Sequence, residues 1–256
     1  MKLAYREFGN GPPLLILHGL FGQSDNWNTL AKQFALQGFR VFTPDQRNHG
    51  LSPHDPIWNY KVMAEDLYEF INEHQLNGPI IMGHSMGGKT VLFFEHLHPG
   101  IASKLILVDI AARAYEPQHD QVLEALNAVN FNTISSRKEA EAVLNSYLSD
   151  FGTKQFLLKN IYWEDEANKR LNWRFDLNTI TTYYNNIGVE APNYVSATKT
   201  LVLRGEKSPY VSEVDLQNYR SRFSQVSFET IVGAGHWVHA EKPKEFFEAV
   251  LKFIKD

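Results

Sequence analysis

Gly83-His84-Ser85-Met86-Gly87 sets a serine between two glycines directly after the apolar run Pro79-Ile80-Ile81-Met82. The run reads as a buried strand and Gly88 through His98 as a helix, so Ser85 falls on a sharp strand-to-helix turn. Such a turn holds the serine at a backbone angle that costs about 1–3 kcal/mol and projects its hydroxyl from the sheet. Any side chain at 83 or 87 would crowd the crossing. Working outward, Leu14-Leu15-Ile16-Leu17, Val41-Phe42-Thr43, Leu105-Ile106-Leu107-Val108, Leu201-Val202-Leu203 and Val226-Ser227-Phe228 are further short strand-like runs. Helical patterns separate most of them, such as Met63, Leu67, Phe70 and Ile71, or Phe246, Val250, Phe253 and Ile254. This alternation predicts an α/β fold around a mostly parallel sheet flanked by helices.

The alternation stops between Ala112 and about Thr198. No strand is predicted there. Val122, Leu126 and Val129, then Ala140, Val143, Leu144, Tyr147 and Leu148, recur at helical spacing, among rings that include Phe156, Trp163, Trp173, Phe175 and Tyr184. The segment reads as a helical insertion over the strand ends, with most of its rings in a core of its own and two or three lining an apolar pocket. Residues 1-111 and 199-256 are then the core, and 112-198 the insertion.

The 256 residues carry a net charge of −4, which gives no electrostatic footprint for nucleic acid. No apolar run approaches the ~20 residues of a membrane span. The start, Met1 to Glu7, lacks the apolar core of a secretory signal, so the expectation is a cytoplasmic protein without membrane or nucleic-acid partners. With no cysteine, disulfides, thiol catalysis and thiolate metal sites are excluded. No His/Asp/Glu cluster has ligand spacing, so neither a metal nor another cofactor is expected.

A serine hydroxyl is a poor nucleophile at neutral pH; it needs a base within hydrogen-bond reach and a third group to hold that base. His236, in the loop Gly233-Ala234-Gly235-His236 after the late strand, is the candidate base, preferred over His239 nearer the next helix. The acid is harder to place. Three residues after Gly205, where an acid often follows the next-to-last strand, stands Ser208. Asp109, which ends the strand after the nucleophile helix, is the better candidate, with Glu206 second. Amides of Met86 and of Leu20, in Leu17-His18-Gly19-Leu20-Phe21-Gly22, are placed to receive a negative oxygen, with Phe21 the next choice to Leu20. Phe21, Tyr210 and Trp237 are expected to line the substrate pocket. Asp45 and Arg47-Asn48-His49-Gly50 read as a loop-fixing set. Lys89 and the basic residues Lys154, Lys159, Lys169, Arg170 and Arg174 read as solvated faces rather than contacts for a CoA phosphate.

With these residues in hand, the chain resembles the α/β-hydrolase superfamily over essentially its whole length, and more narrowly the bacterial YbfF-type esterases. The likeness rests on His18 to Gly22, Arg47-Asn48-His49-Gly50-Leu51-Ser52-Pro53, Gly83 to Lys89, Ser208-Pro209-Tyr210-Val211-Ser212, and Gly233 to Pro243. It implies an α/β-hydrolase fold with a helical cap inserted after the sixth strand, and an acid at Asp109. It also implies cofactor-free hydrolysis of small-molecule acyl esters, or of acyl-CoA thioesters, with Ser85, Asp109 and His236 as the catalytic residues. Carbon–carbon bond hydrolysis on the same fold is the alternative, since it shares the serine and the histidine.

Overall fold

The computed structural model describes residues 1–116 and 119–256. Its main sheet holds β1 (Tyr5–Phe8), β2 (Pro13–Leu17), β3 (Arg40–Pro44), β4 (Ile80–His84), β5 (Lys104–Val108), β8 (Lys199–Gly205) and β9 (Val226–Ile231), in the order β1-β3-β2-β4-β5-β8-β9. Only β1 runs antiparallel; every other neighbouring pair is parallel. The chain steps from β2 outward to β3 and then crosses back to β4. The strand order therefore reverses beside β2 and β4, and in open parallel sheets ligands bind at the carboxyl ends of such strands.

Alternate residues of each strand face opposite sides, and both sides are apolar. Leu15, Leu17, Ile81, Leu105, Leu107 and Val202 pack under α2 (Tyr60–Glu73), α3 (Met86–Leu97) and α8 (Glu213–Arg222). Leu14, Ile16, Met82, Ile106, Val108 and Leu203 pack on α1 (Asn28–Leu36) and α10 (Pro243–Lys255). Burial on both faces explains why these strands read as continuous apolar runs.

Between β5 and β8 lie α4 (Asp120–Ala128), α5 (Arg137–Asn145), α6 (Phe151–Leu158), α7 (Leu177–Thr182) and a hairpin of β6 (Ile161–Asp165) with β7 (Arg170–Trp173). The hairpin corrects the expectation of a strandless segment. Its turn contains neither glycine nor proline, and Lys169 supplies the left-handed conformation at φ 52°, so the usual hairpin signal is missing. The segment also leaves after the fifth strand of this chain, β5, rather than the sixth. Leu126, Leu144, Leu157, Leu171, Trp173 and Phe175 form its core, which continues into Leu20, Phe21 and Met86 at the sheet edge.

Candidate active site

The loops after β2, β4, β5, β8 and β9 meet at the carboxyl edge. Ser85 occupies the cap position of α3, at φ 52° and ψ −117°. The crossing is tight: a Cβ on Gly83 would sit 2.3 Å from the Gly87 carbonyl oxygen, and one on Gly87 would sit 2.6 Å from that of Leu17. Real Cβ atoms do not approach so closely, hence glycine at both places. Asp109, directly after β5, has φ 50°. Its amide donates to Leu203 at 2.7 Å, and Ser85 donates to Val108 at 3.0 Å, so the strand ends are tied sideways.

His236 lies between the two. Its Nδ1 is 2.6 Å from Asp109 Oδ2, and its Nε2 is 3.1 Å from Ser85 Oγ. A carboxylate accepts only, so Nδ1 carries the proton and Nε2 is left to accept from the serine hydroxyl. Asp109 is wholly buried, and its oxygens also accept from the Gly205 amide (3.1 Å) and the Ser208 hydroxyl. Ser208 thus stands where an acid often follows this strand, and it donates to the acid from the neighbouring strand. Glu206 turns away, accepting from the Gly233 amide at 2.8 Å.

The His236 loop is clasped from two sides. Glu241 of α9 (Val238–Glu241) accepts from the amides of Gly235 (2.8 Å) and Trp237 (3.2 Å). Buried His84 holds Nε2 at 2.8 Å from the His236 carbonyl. Burial, reinforced by His236 and His239, drives the His84 pKa well below the ordinary range, so the ring is neutral and Nε2 donates. Neither Glu241 nor His84 was distinguishable in the sequence as a support of the base.

Met86 opens α3, so its amide is among the donors a helix leaves unpaired at its start. Leu20 and Phe21 are the central residues of a turn closed by Gly22 donating to Gly19 at 2.9 Å, which leaves the Leu20 amide outside the turn's own bond. His18 fixes that loop: it is buried, its pKa is drawn by burial down to about 4, and its ring contacts the Gly19 carbonyl and the Gln46 amide. Asp45 accepts from Ser24 and Leu51, and Arg47 grips Asp66 at 2.6 and 2.8 Å, so the Asp45–Gly50 segment is a fixed loop.

Beside Ser85 opens a cavity of about 320 Å³, floored by Leu20, Met86 and Ile110 and walled by Tyr60, Tyr115 and Tyr210. Tyr210 lies there and stacks on His236 at 3.9 Å. Phe21 and Trp237 do not line it. Phe21 is buried against Phe175 at 4.9 Å, and Trp237 packs on Phe156 at 4.4 Å. Of the rings named in the insertion, Tyr184 reaches the cavity, while Trp173 and Phe175 stack together in the insertion's core. Lys89 is neither a solvated residue nor a phosphate contact, because it is completely buried. Among the described residues, no group of three or more His, Asp or Glu is arranged to hold a metal, and no helix is long and apolar enough to cross a membrane.

A strained serine at a strand-to-helix turn, bonded to a histidine bonded in turn to a buried aspartate, defines a serine-hydrolase type of site. A profile of the alpha/beta hydrolase fold matches residues 12–243, and the chain belongs to that family. It is 36% identical to Escherichia coli esterase YbfF over 96% of this chain and 94% of that protein. It is 35% identical to the mouse sn-1-specific diacylglycerol lipase ABHD11 over 95% of this chain and 81% of that one. A solved structure of a marine microorganism esterase superposes with a TM-score of 0.94 at 38% identity, covering 98% of this chain and 99% of that one.

Proposed function

We propose that this protein hydrolyses acyl esters, and acyl thioesters by the same steps, through an acyl-enzyme on Ser85. The supporting observation is the unbroken line from Ser85 Oγ through His236 to Asp109, at 3.1 and 2.6 Å, opening on an apolar cavity. Ser85 Oγ attacks the carbonyl carbon as its proton passes to His236 Nε2. Asp109 orients the ring and offsets the charge of the imidazolium. The amides of Leu20 and Met86 receive the negative oxygen. When the tetrahedral intermediate collapses, the carbon–oxygen or carbon–sulfur bond breaks and the leaving group takes the proton from His236. Water then attacks the acyl-serine, gives its proton to the same nitrogen, and the released Ser85 recovers it. The cavity takes the acyl chain.

Rates across p-nitrophenyl esters and acyl-CoAs of increasing length test this reading. An optimum at a length the cavity accommodates, abolished in Ser85→Ala, is the expected result. Undiminished turnover in Ser85→Ala overturns the mechanism. Turnover of a vinylogous diketone, with every ester and thioester untouched, replaces it by carbon–carbon bond hydrolysis.

A further inference from the structure

Lys89 lies one turn into α3 from Ser85, and its amide donates to the Ser85 carbonyl at 3.0 Å. Its side chain is completely buried, yet among the described residues no carboxylate bonds it. Instead Nζ donates to three carbonyl oxygens: Ala112 (3.2 Å), Arg113 (2.7 Å) and Val189 (3.1 Å). An ammonium has three N–H donors, so the match is complete. The acceptors come from two separate segments: 112–113 begin the excursion away from β5, and 189 belongs to its return.

Those segments form a neck. Tyr115 donates to Gly188 at 2.7 Å and Ala191 to Ala112 at 2.7 Å. Arg113 pairs with Asp215 at 3.1 Å, Glu190 pairs with Arg222 at 3.4 Å, and Arg222 also donates to the Pro192 carbonyl. The Tyr115 ring lies 5.1 Å from Lys89 Nζ. Burial, aided by the positive charges of Arg113 and Arg222 and opposed by Glu190 and Asp215, draws the Lys89 pKa down to about 7. The carbonyl dipoles counter that loss of hydration and favour the cation. The same neck residues line the cavity: Ala114 and Tyr115 going out, Gly188 and Val189 coming back.

We infer that Lys89 is a positioning residue for substrate selection: it fastens both segments of the neck to the nucleophile helix and so sets the distance from Ser85 to the cavity wall that receives the acyl chain. The inference rests on the esterase reading for the identity of the occupant. It does not touch the bond-making atoms, so its loss shifts KM and chain-length preference rather than the chemical step.

Two variants test it from opposite sides. Lys89→Met keeps an unbranched side chain, one atom shorter, and removes the donors. Gly188→Ala leaves Lys89 intact but puts a Cβ 2.6 Å from the Tyr115 carbonyl oxygen, which forces the neck open. Intact sites are counted by fluorophosphonate labelling of Ser85, and kinetics are expressed per labelled site. Both variants should raise KM about tenfold or more for the best-fitting p-nitrophenyl ester, while kcat per labelled site stays within about threefold. The amides of Tyr115 and Ala191 should exchange hydrogen faster, with those of β4 unchanged. A merely structural lysine would lower the number of labelled sites and leave their KM and selectivity alone; that result, or unaltered neck exchange in both variants, overturns the inference. Failure of the esterase reading looks different, because the wild-type chain would then hydrolyse no ester while the neck exchange still responded. Should Lys89→Met not fold, Gly188→Ala decides.

Discussion

The carboxyl edge of the sheet and the segment above it hold their residues in place by different means. At the edge, strain and long-range bonds do the holding. Of the six non-glycine residues with positive φ among those described, Phe21, Asn48, Ser85 and Asp109 follow β2, β3, β4 and β5 respectively. Each is fixed by partners distant in sequence, as Asp109 is by Gly205, Ser208 and His236. The insertion uses local devices instead: Ser136 and Glu139 close a capping box on α5, Asp150 caps α6 through Thr153, and Asp176 caps α7 through Thr179. Between these caps lies an apolar core, and long-range bonds tie the insertion down at its base, through the neck and where Asn160 Nδ2 donates to the Phe21 carbonyl. The reacting groups are therefore held by strain and by one another, whereas the wall of the cavity is placed through the few bonds of the neck.

The sharpest break of that contrast is Asp109→Asn. The amide cannot hold the required tautomer of His236, so turnover should fall by up to about 10⁴ while the fold persists. Rates of p-nitrophenyl ester hydrolysis, alongside an unchanged circular dichroism spectrum, check it. Near-wild-type rates there, with collapse in Glu206→Gln, would move the acid assignment to Glu206. Next comes Leu20→Pro. Proline is favoured at the first central position of a β-turn but has no N–H, so the turn survives and a proposed oxyanion donor is removed. A loss of about 10²–10³ in kcat is expected, against a much smaller loss in Leu20→Ala, which keeps the amide.

The same contrast decides what the sequence could tell. The strands and the positions of Ser85, Asp109 and His236 were legible because parallel topology delivers strand ends to one edge, and the glycine-flanked serine says which edge. The hairpin was not, because Lys169 does in its turn what a glycine usually does. Lys89 was misread because a lysine after two glycines at a helix start looks solvated. Only the fold shows three carbonyls converging on it. Tyr115 went unremarked for a similar reason: its hydroxyl accepts from the Ala111 amide and donates to the Tyr210 carbonyl, two partners 99 residues apart in sequence that no local pattern links.

Acid should separate the two regions more gently. His18, His49, His84 and His239 are buried near the edge, and His119 is half-buried at the cavity; loss of hydration is the first cause of depression in each, to about 4 for His18 and His119 and about 3 for His49 and His239. Their folded values lie below the ordinary 6.5, so the unfolded chain binds more protons in between. Their contribution to stability is complete above about pH 6.5 and is lost as pH falls toward 4. Asp45 and Glu95, raised by burial, act the other way over the carboxylate range, but five imidazoles outnumber them. The urea midpoint should therefore drop steadily from about pH 6.5 to 4.5. A flat midpoint would mean that these rings are protonated in the folded chain.

The smallest expected effect belongs to Trp237. The sequence put Tyr210 and Trp237 on equal terms, both following strand ends near the site. Tyr210 lies against the His236 ring at 3.9 Å, nearly parallel to it, and lines the cavity. Trp237 is 5.8 Å from the same ring in an edge-on arrangement, and its closest ring contact is Phe156 of α6. Removing the Tyr210 ring exposes the base and alters the cavity wall, so Tyr210→Leu should lower kcat/KM by about tenfold or more. Trp237→Phe keeps an aromatic face toward Phe156 and leaves both flanking bonds to Glu241 in place, because those involve backbone amides. It should change kcat/KM by less than about threefold and leave the acyl-length optimum where it was. A shifted optimum in Trp237→Phe would mean that the acyl chain runs toward α6 rather than toward the neck, and would reverse the assignment of the two walls.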